Sequence, residues 1–139
     1  MIKHEFGGGH IMLCGGDAEA KTLHDKMFSG LYVAERGSDN IVRLFCEMPN
    51  NHPRFEVPIK ESQDLVNHSE SFEYGYAGSG PAQLGLAILF RITKSKDLAL
   101  RHYQDFKSEI LAETPRHVKQ MCFVGLDVVN WIADKERNK

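Results

Sequence analysis

Between Phe72 and Leu84 the chain reads Phe-Glu-Tyr-Gly-Tyr-Ala-Gly-Ser-Gly-Pro-Ala-Gln-Leu, and no other stretch gathers as many groups able to meet a ligand. Glu73 supplies a carboxylate, Tyr74 and Tyr76 supply aromatic faces with hydroxyl tips, and Ser79 and Gln83 add hydrogen-bonding groups around Gly78 and Gly80. The apolar residues from Leu84 onward predict a helix with Pro81 at its first position, where the missing N–H costs nothing, and with Ser79 or Gly80 as its cap. Free N–H groups at a helix start, together with the positive end of the helix dipole, suit a phosphate or carboxylate. Gly78-Ser79-Gly80-Pro81 is therefore a candidate anion cradle, and the competing reading is a tight turn whose glycines serve backbone geometry and close packing.

The spacing fits no nucleotide or nucleophile fingerprint. No Lys follows the last glycine as in a Walker A loop, and Gly78, Gly80 and Gly85 miss the G-x-G-x-x-G spacing. Ala77 and Pro81 stand where a G-x-S-x-G elbow has glycines. Ser79 has no base matched to it by spacing, so no catalytic residue is nominated.

A second constellation is Arg101-His-Tyr-Gln-Asp-Phe-Lys107. On a helix Tyr103, Phe106 and Lys107 share a face, while Arg101 pairs with Asp97 and Asp105 on another. Tyr103 and Lys107 complete the set of candidate ligand contacts if this helix faces the glycine turn. The helical pattern itself favours Tyr103 and Phe106 as core and the charges as a wet face. The seven histidines form no HxxxH, HExxH or Cys-His cluster, and His10 with Cys14 is an isolated pair, so neither a metal nor a cofactor is expected.

The run His68-Ser-x-x-Phe72-Glu-Tyr-Gly-Tyr-x-Gly-Ser-Gly-Pro-Ala-Gln-Leu-x-Leu-Ala-Ile-Leu89, then Ala99-Leu-Arg-x-Tyr103-Gln-Asp-Phe-Lys107 and Asp127-x-x-x-Trp131-Ile132, resembles a family of small proteins of unknown function found in bacteria and their phages. The resemblance covers roughly residues 65–133. It departs from the family's usual form at Tyr74, where a tryptophan is common, at Gly85, where alanine is usual, and in the amino-terminal arm. It implies a setting in phages, plasmids or other mobile DNA, and no mechanism.

The elements that must position these residues are legible from periodicity. Residues 1–25, with Gly7, Gly8, Gly9, Gly15 and Gly16, read as a flexible arm, and residues 26–139 as one domain. Met27–Ala34 and Ile41–Met48 predict a hairpin across Glu35–Asn40. Phe55, Val57 and Ile59 alternate with polar residues as a strand does, and Pro58 places that strand at an edge. A polar connector, 61–71, leads to the central helix, which is apolar all round and uses Gly85 and Ala87 for close approach. The next helix starts at Ser95 or Asp97 and runs to about Glu113, with Ala99, Tyr103, Phe106 and Ile110 as its buried stripe. Gln120–Val124 is a short strand or an extended linker, and a last helix starts at Gly125 with Leu126, Val128, Val129, Trp131 and Ile132 as its apolar pattern. The expected fold is α+β, a small antiparallel sheet of three to four strands from the first half packed against about three helices from the second.

The 139 residues, 42% hydrophobic and 26% charged, suit a compact domain and exclude disordered or rod-like classes. With 17 Lys and Arg against 19 Asp and Glu, no global basic field points to nucleic acid or a membrane. The three cysteines are odd in number and scattered, which with no signal-like apolar run predicts a cytoplasmic protein. The function expected is that of a non-enzymatic accessory protein of a phage or mobile element, binding a protein partner, with sheet edges that leave a homodimer open. The alternative is a small ligand-binding domain or enzyme that uses the glycine turn as a phosphate cradle.

Overall fold

The computed structural model describes the backbone of residues 2–3, 5–6 and 9–10, and residues 30–47 and 54–138 in full. The elements run β1 (Ile2–Lys3), β2 (Glu5–Phe6), β3 (Gly9–His10), β4 (Leu31–Arg36), β5 (Val42–Glu47), β6 (Phe55–Glu56), α1 (Ile59–Gln63), α2 (Ser79–Thr93), α3 (Lys96–Phe106), a π-helical turn (Lys107–Leu111), β7 (Gln120–Val124) and α4 (Gly125–Arg137). This is the expected α+β class. Most of the glycine-rich stretch 1–25, residues 26–29 and residues 48–53 lie outside the described residues.

The main sheet has the order β1-β7-β4-β5-β6. β4 and β5 form the hairpin, with Leu31 opposite Glu47 and Arg36 opposite Val42. Its turn is closed by the Asn40 N–H donating to Gly37 O and the Gly37 N–H donating to Ile41 O, both 2.9 Å. Asn40 takes a φ of 67°, a left-handed conformation that asparagine tolerates better than most side chains. β7 pairs antiparallel with β4, Leu31 opposite Val124, and carries β1 in parallel on its other side. Of the two readings left open for Gln120–Val124, the strand is correct, so the sheet draws one of its inner strands from the second half of the chain. Met121 to Val124 are all buried, and a strand buried on both faces shows no period of two.

At the other end the alternation through Phe55, Val57 and Ile59 overstates the strand. β6 is an edge strand, as Pro58 requires, but beyond Phe55–Glu56 only the Val57 N–H still reaches β5, donating to the Leu44 carbonyl at 2.7 Å. Pro58 has no N–H to continue the ladder, and it stands at the start of α1, so Ile59 belongs to a helix and the connector is partly helical.

The helices cover the sheet face that carries Tyr32, Ala34, Leu44, Cys46, Met121 and Phe123, all buried. Phe106 of α3 reaches Phe123 of β7 at 5.6 Å between ring centroids and Trp131 of α4 at 5.3 Å. α2 is the central helix, buried without a break from Gly80 to Leu89. A Cβ on Gly85 would lie 3.2 Å from the Tyr103 carbonyl oxygen, so α2 and α3 approach there more closely than an alanine comfortably permits. α2 starts two residues earlier than Pro81 suggests, with Gly78 as N-cap. Proline is tolerated at this third position because the first N–H groups of a helix have no acceptor within it.

Ser95 caps α3, its Oγ accepting from Leu98 N–H at 3.1 Å. The helical path continues through the π turn to Leu111, and Ala99, Tyr103, Phe106 and Ile110 form the buried stripe. Arg101 pairs with Asp97 at 2.7 Å as expected, but its second partner is Glu136 of α4 at 2.8 Å rather than Asp105. In α4 Val128, Trp131 and Ile132 are core while Val129 is 41% exposed. Among the described residues no helix is long and apolar enough to cross a membrane.

Candidate functional site

The start of α2 divides the candidate residues into two groups. On one side Gln83 points inward and is fully buried. Its amide oxygen accepts from His68 N–H at 2.7 Å and Ser69 N–H at 3.1 Å. Its amide nitrogen donates to Ser62 Oγ at 2.8 Å and the Val66 carbonyl at 3.1 Å. One side chain thus pins the loop 62–69 to α2, and no polar atom of Gln83 is left for a ligand. Tyr103 joins this group through a 2.7 Å hydrogen bond between its hydroxyl and His68 Nε2.

On the other side Glu73 meets Arg36, the last residue of β4. Arg36 Nη2 donates to Glu73 Oε1 at 2.8 Å and Nη1 to Oε2 at 3.1 Å, the two-pronged geometry that makes Arg–carboxylate pairs strong. The Arg36 side chain is 6% exposed, its guanidinium lies 4.9 Å from the Tyr74 ring centroid, and Nη1 also donates to the Asn40 carbonyl at 3.3 Å. Its Nε is buried without a hydrogen-bond partner. Burial alone would raise the Glu73 carboxyl. The Arg36 hydrogen bonds, the Tyr74 N–H and the charges of Arg36 and Arg116 outweigh it and hold the carboxyl below its ordinary range. Tyr74 is wholly buried, its hydroxyl donates to the Val118 carbonyl, and burial pushes that phenol up. Tyr74 is therefore a core residue, not a surface contact, because its ring fills the space between Arg36 and the 114–119 loop.

The glycine turn between these groups is closed by side chains. Gly75 has a φ of +93° and donates its N–H to the Leu111 carbonyl at 2.9 Å, and a Cβ there would sit 2.2 Å from Arg116 Cγ. Gly80 is buried against Glu73 Cβ and the Tyr76 hydroxyl, while Gly78 packs on the Tyr76 ring. Ser79 and Tyr76 remain exposed, and the Arg116 guanidinium covers the Tyr76 ring at 5.0 Å. Lys107 is half-buried in the π turn, and no hydrogen bond or ion pair among the described residues links it to the glycine turn.

What opens to solvent beside this turn is a groove that the sequence reading did not single out. One depression of about 420 Å³ is lined by Arg36, Asn40, Arg116, His117 and Lys119. A second, of about 410 Å³, shares Arg36 and Lys119 and extends to Glu35, Gly37, Ser38 and Gln120. Glu35 is occupied by Arg54 at 2.6 Å and by the Gln120 amide at 2.6 Å, and those hydrogen bonds hold its carboxyl low. The available signal was the local run Arg116-His-Val-Lys119 directly after Pro115. Arg36 carried no signal, since its partner is thirty-seven positions away. Among the described residues no group of three His, Cys, Asp or Glu is placed to hold a metal ion.

Comparison with known protein families matches residues 32–134 to a family of unknown function, DUF6166. No curated protein and no solved structure matches the chain. The match begins in β4 and ends in α4, so it takes in the inner strands of the sheet, the glycine turn and the loop that lines the groove.

Proposed function

The chain belongs to DUF6166, and from that premise we propose that it is a non-enzymatic accessory protein of a phage or other mobile element that acts by binding a protein partner. The observation that carries the reading is where the polar groups around α2 are spent. Turnover needs a nucleophile, acid or base whose reacting atom faces a bound substrate. Glu73 is locked on Arg36, Gln83 is consumed by four internal hydrogen bonds, and Tyr103 is bonded to His68. Solvent meets instead an open, polar groove, a shape suited to docking rather than to excluding water from a reaction. The mobile-element setting rests on the motif resemblance over residues 65–133.

The test is affinity capture by the full chain from lysate of the cell that makes it, followed by identification of what is retained. One protein enriched over a matched control is expected. Failure to retain any protein, together with a thermal shift by nucleotides or phosphorylated metabolites that is lost in Ser79→Ala or Gly80→Val, would replace the reading with the anion cradle.

A further inference from the structure

We propose that the groove floored by Arg36 and walled by Arg116, His117 and Lys119 is the docking site, and that its occupant is an acidic segment of the partner protein. The inference rests on the protein-binding reading above and names the surface and the partner's chemistry. Among the described residues, Arg36, Arg43, Arg54, Arg91, Arg101 and Arg137 each hold a carboxylate. Arg116 alone of the described arginines has none. Glu73 is close enough to feel its charge, yet both Glu73 oxygens are taken by Arg36. Lys119 and His117 are likewise exposed and unpaired in the described structure. In a chain with more acidic than basic residues, two neighbouring cations, Arg116 and Lys119, with no carboxylate partner among the described residues leave a vacancy in the pairing pattern.

The cations are also held in place before any partner arrives. The loop that bears them is tied by Thr114 Oγ1 to the Ile110 carbonyl, by the Val118 N–H to the Pro115 carbonyl at 3.2 Å, and by the Tyr74 hydroxyl to the Val118 carbonyl. The Arg36 N–H donates to the Lys119 carbonyl at 2.8 Å, fixing the loop to the end of β4. Arg116 lies over the Tyr76 ring, 5.0 Å from its centroid, a contact that restricts its side chain and lowers the entropy lost on binding. Carboxylates supply acceptors of the right charge and planar geometry.

A nucleic acid fits this surface less well. Tight binding to a duplex draws on roughly six to ten phosphate contacts, whereas the groove offers one short cluster bounded on its far side by Glu35.

The probe is fluorescently labelled decaglutamate, with decaglutamine and oligothymidylate as comparisons, titrated against the full chain at low and high salt. Decaglutamate should bind, weaken as salt rises, and lose about tenfold in affinity in Lys119→Glu and in Arg116→Gln. Lys96→Glu, an equal change of charge at the exposed start of α3, should leave binding unchanged. Because Arg116 also packs on Gly75, a lowered melting temperature in its variant leaves Lys119→Glu to decide. Absence of decaglutamate binding, binding indifferent to Lys119→Glu, or tighter binding of oligothymidylate each overturns the proposal. A partner captured by the full chain that stays bound to Lys119→Glu overturns this groove while the protein-binding reading stands.

Discussion

Two polar clusters flank the start of α2, and they are built on opposite plans. The Gln83 cluster is closed: every polar atom of the side chain meets a group of the same chain, and the side chain itself is fully buried. The Arg36–Glu73 cluster is closed on one side only, with a two-pronged pair at its core and, outside it, Arg116 and Lys119 without a carboxylate partner among the described residues. A buried network whose members are all satisfied fixes one conformation. A network that ends in exposed, unpartnered charge has bonding capacity left for another molecule. Closeness in sequence to a distinctive motif therefore does not by itself leave a side chain open to a ligand, since Gln83 lies inside the motif and its polar atoms are all taken.

The comparison can be tested from its strongest contrast downward. Gln83→Leu keeps the volume but strands the His68 and Ser69 N–H groups and the Val66 carbonyl, while the Ser62 hydroxyl keeps its bond to the Ile59 carbonyl, so chemical denaturation should show a loss of about 4 kcal/mol. A loss near zero would mean that water or rearrangement replaces the amide and that the cluster is not closed. Glu73→Ala leaves the Arg36 charge buried and should cost about 3 kcal/mol, while Glu73→Leu combined with Arg36→Met should recover most of it. A double variant no better than the single one would show that the pair contributes more than mutual compensation.

Acid should discriminate the same clusters. Glu73 titrates lower in the folded chain than its ordinary value of 4.5, so the unfolded chain binds more protons below that value. The stability from this group is fully present above about pH 4.5 and drains away as pH falls through the folded-state value. Urea midpoints of wild type and Glu73→Gln measured from pH 7 to 3 should converge at the acid end, whereas Gln83 variants should stay offset at every pH. Parallel lines for Glu73→Gln would remove the carboxylate from the account. The smallest effect is expected at Gly85→Ala, where a gain in helix propensity is set against a Cβ 3.2 Å from the Tyr103 carbonyl. A net loss of about 1 kcal/mol in thermal melts is expected, and a stabilised variant would show that α2 and α3 can separate at little cost.

How much of this was readable in advance depended on distance along the chain. α2, α3 and the hairpin were legible because their signals are local: an unbroken apolar run, the +4, +3, +4 stripe from Ala99 to Ile110, and turn residues between two β-rich runs. The Ser95 cap was legible for the same reason. α1 was not, because five residues are too few for a helical period and Pro58 read as an edge signal. Of the site, Glu73 was singled out as a carboxylate in a distinctive place, but its partner was not. An ion pair between β4 and the glycine turn depends on register and packing, which no local pattern encodes. Tyr74 stood among the candidate ligand contacts on its residue type alone, yet it is wholly buried, and Gly75 beside it takes the positive φ with which the chain turns over it.

β7 also sets an order of events in time. β4 must wait for Gln120–Val124 before its second edge is paired, since Leu31 lies opposite Val124. A chain emerging from the ribosome therefore carries a hairpin with an unpaired flank through most of its synthesis, and the entropy of that long closure is met only when the last segment arrives. Nascent chains stalled before Gln120 should be digested readily, and those extended past Arg137 should resist. The groove forms at the same late moment, because the loop bearing Arg116 and Lys119 is anchored to β4 only when β7 docks. The groove thus takes shape together with completion of the sheet, and a product truncated before Gln120 lacks it.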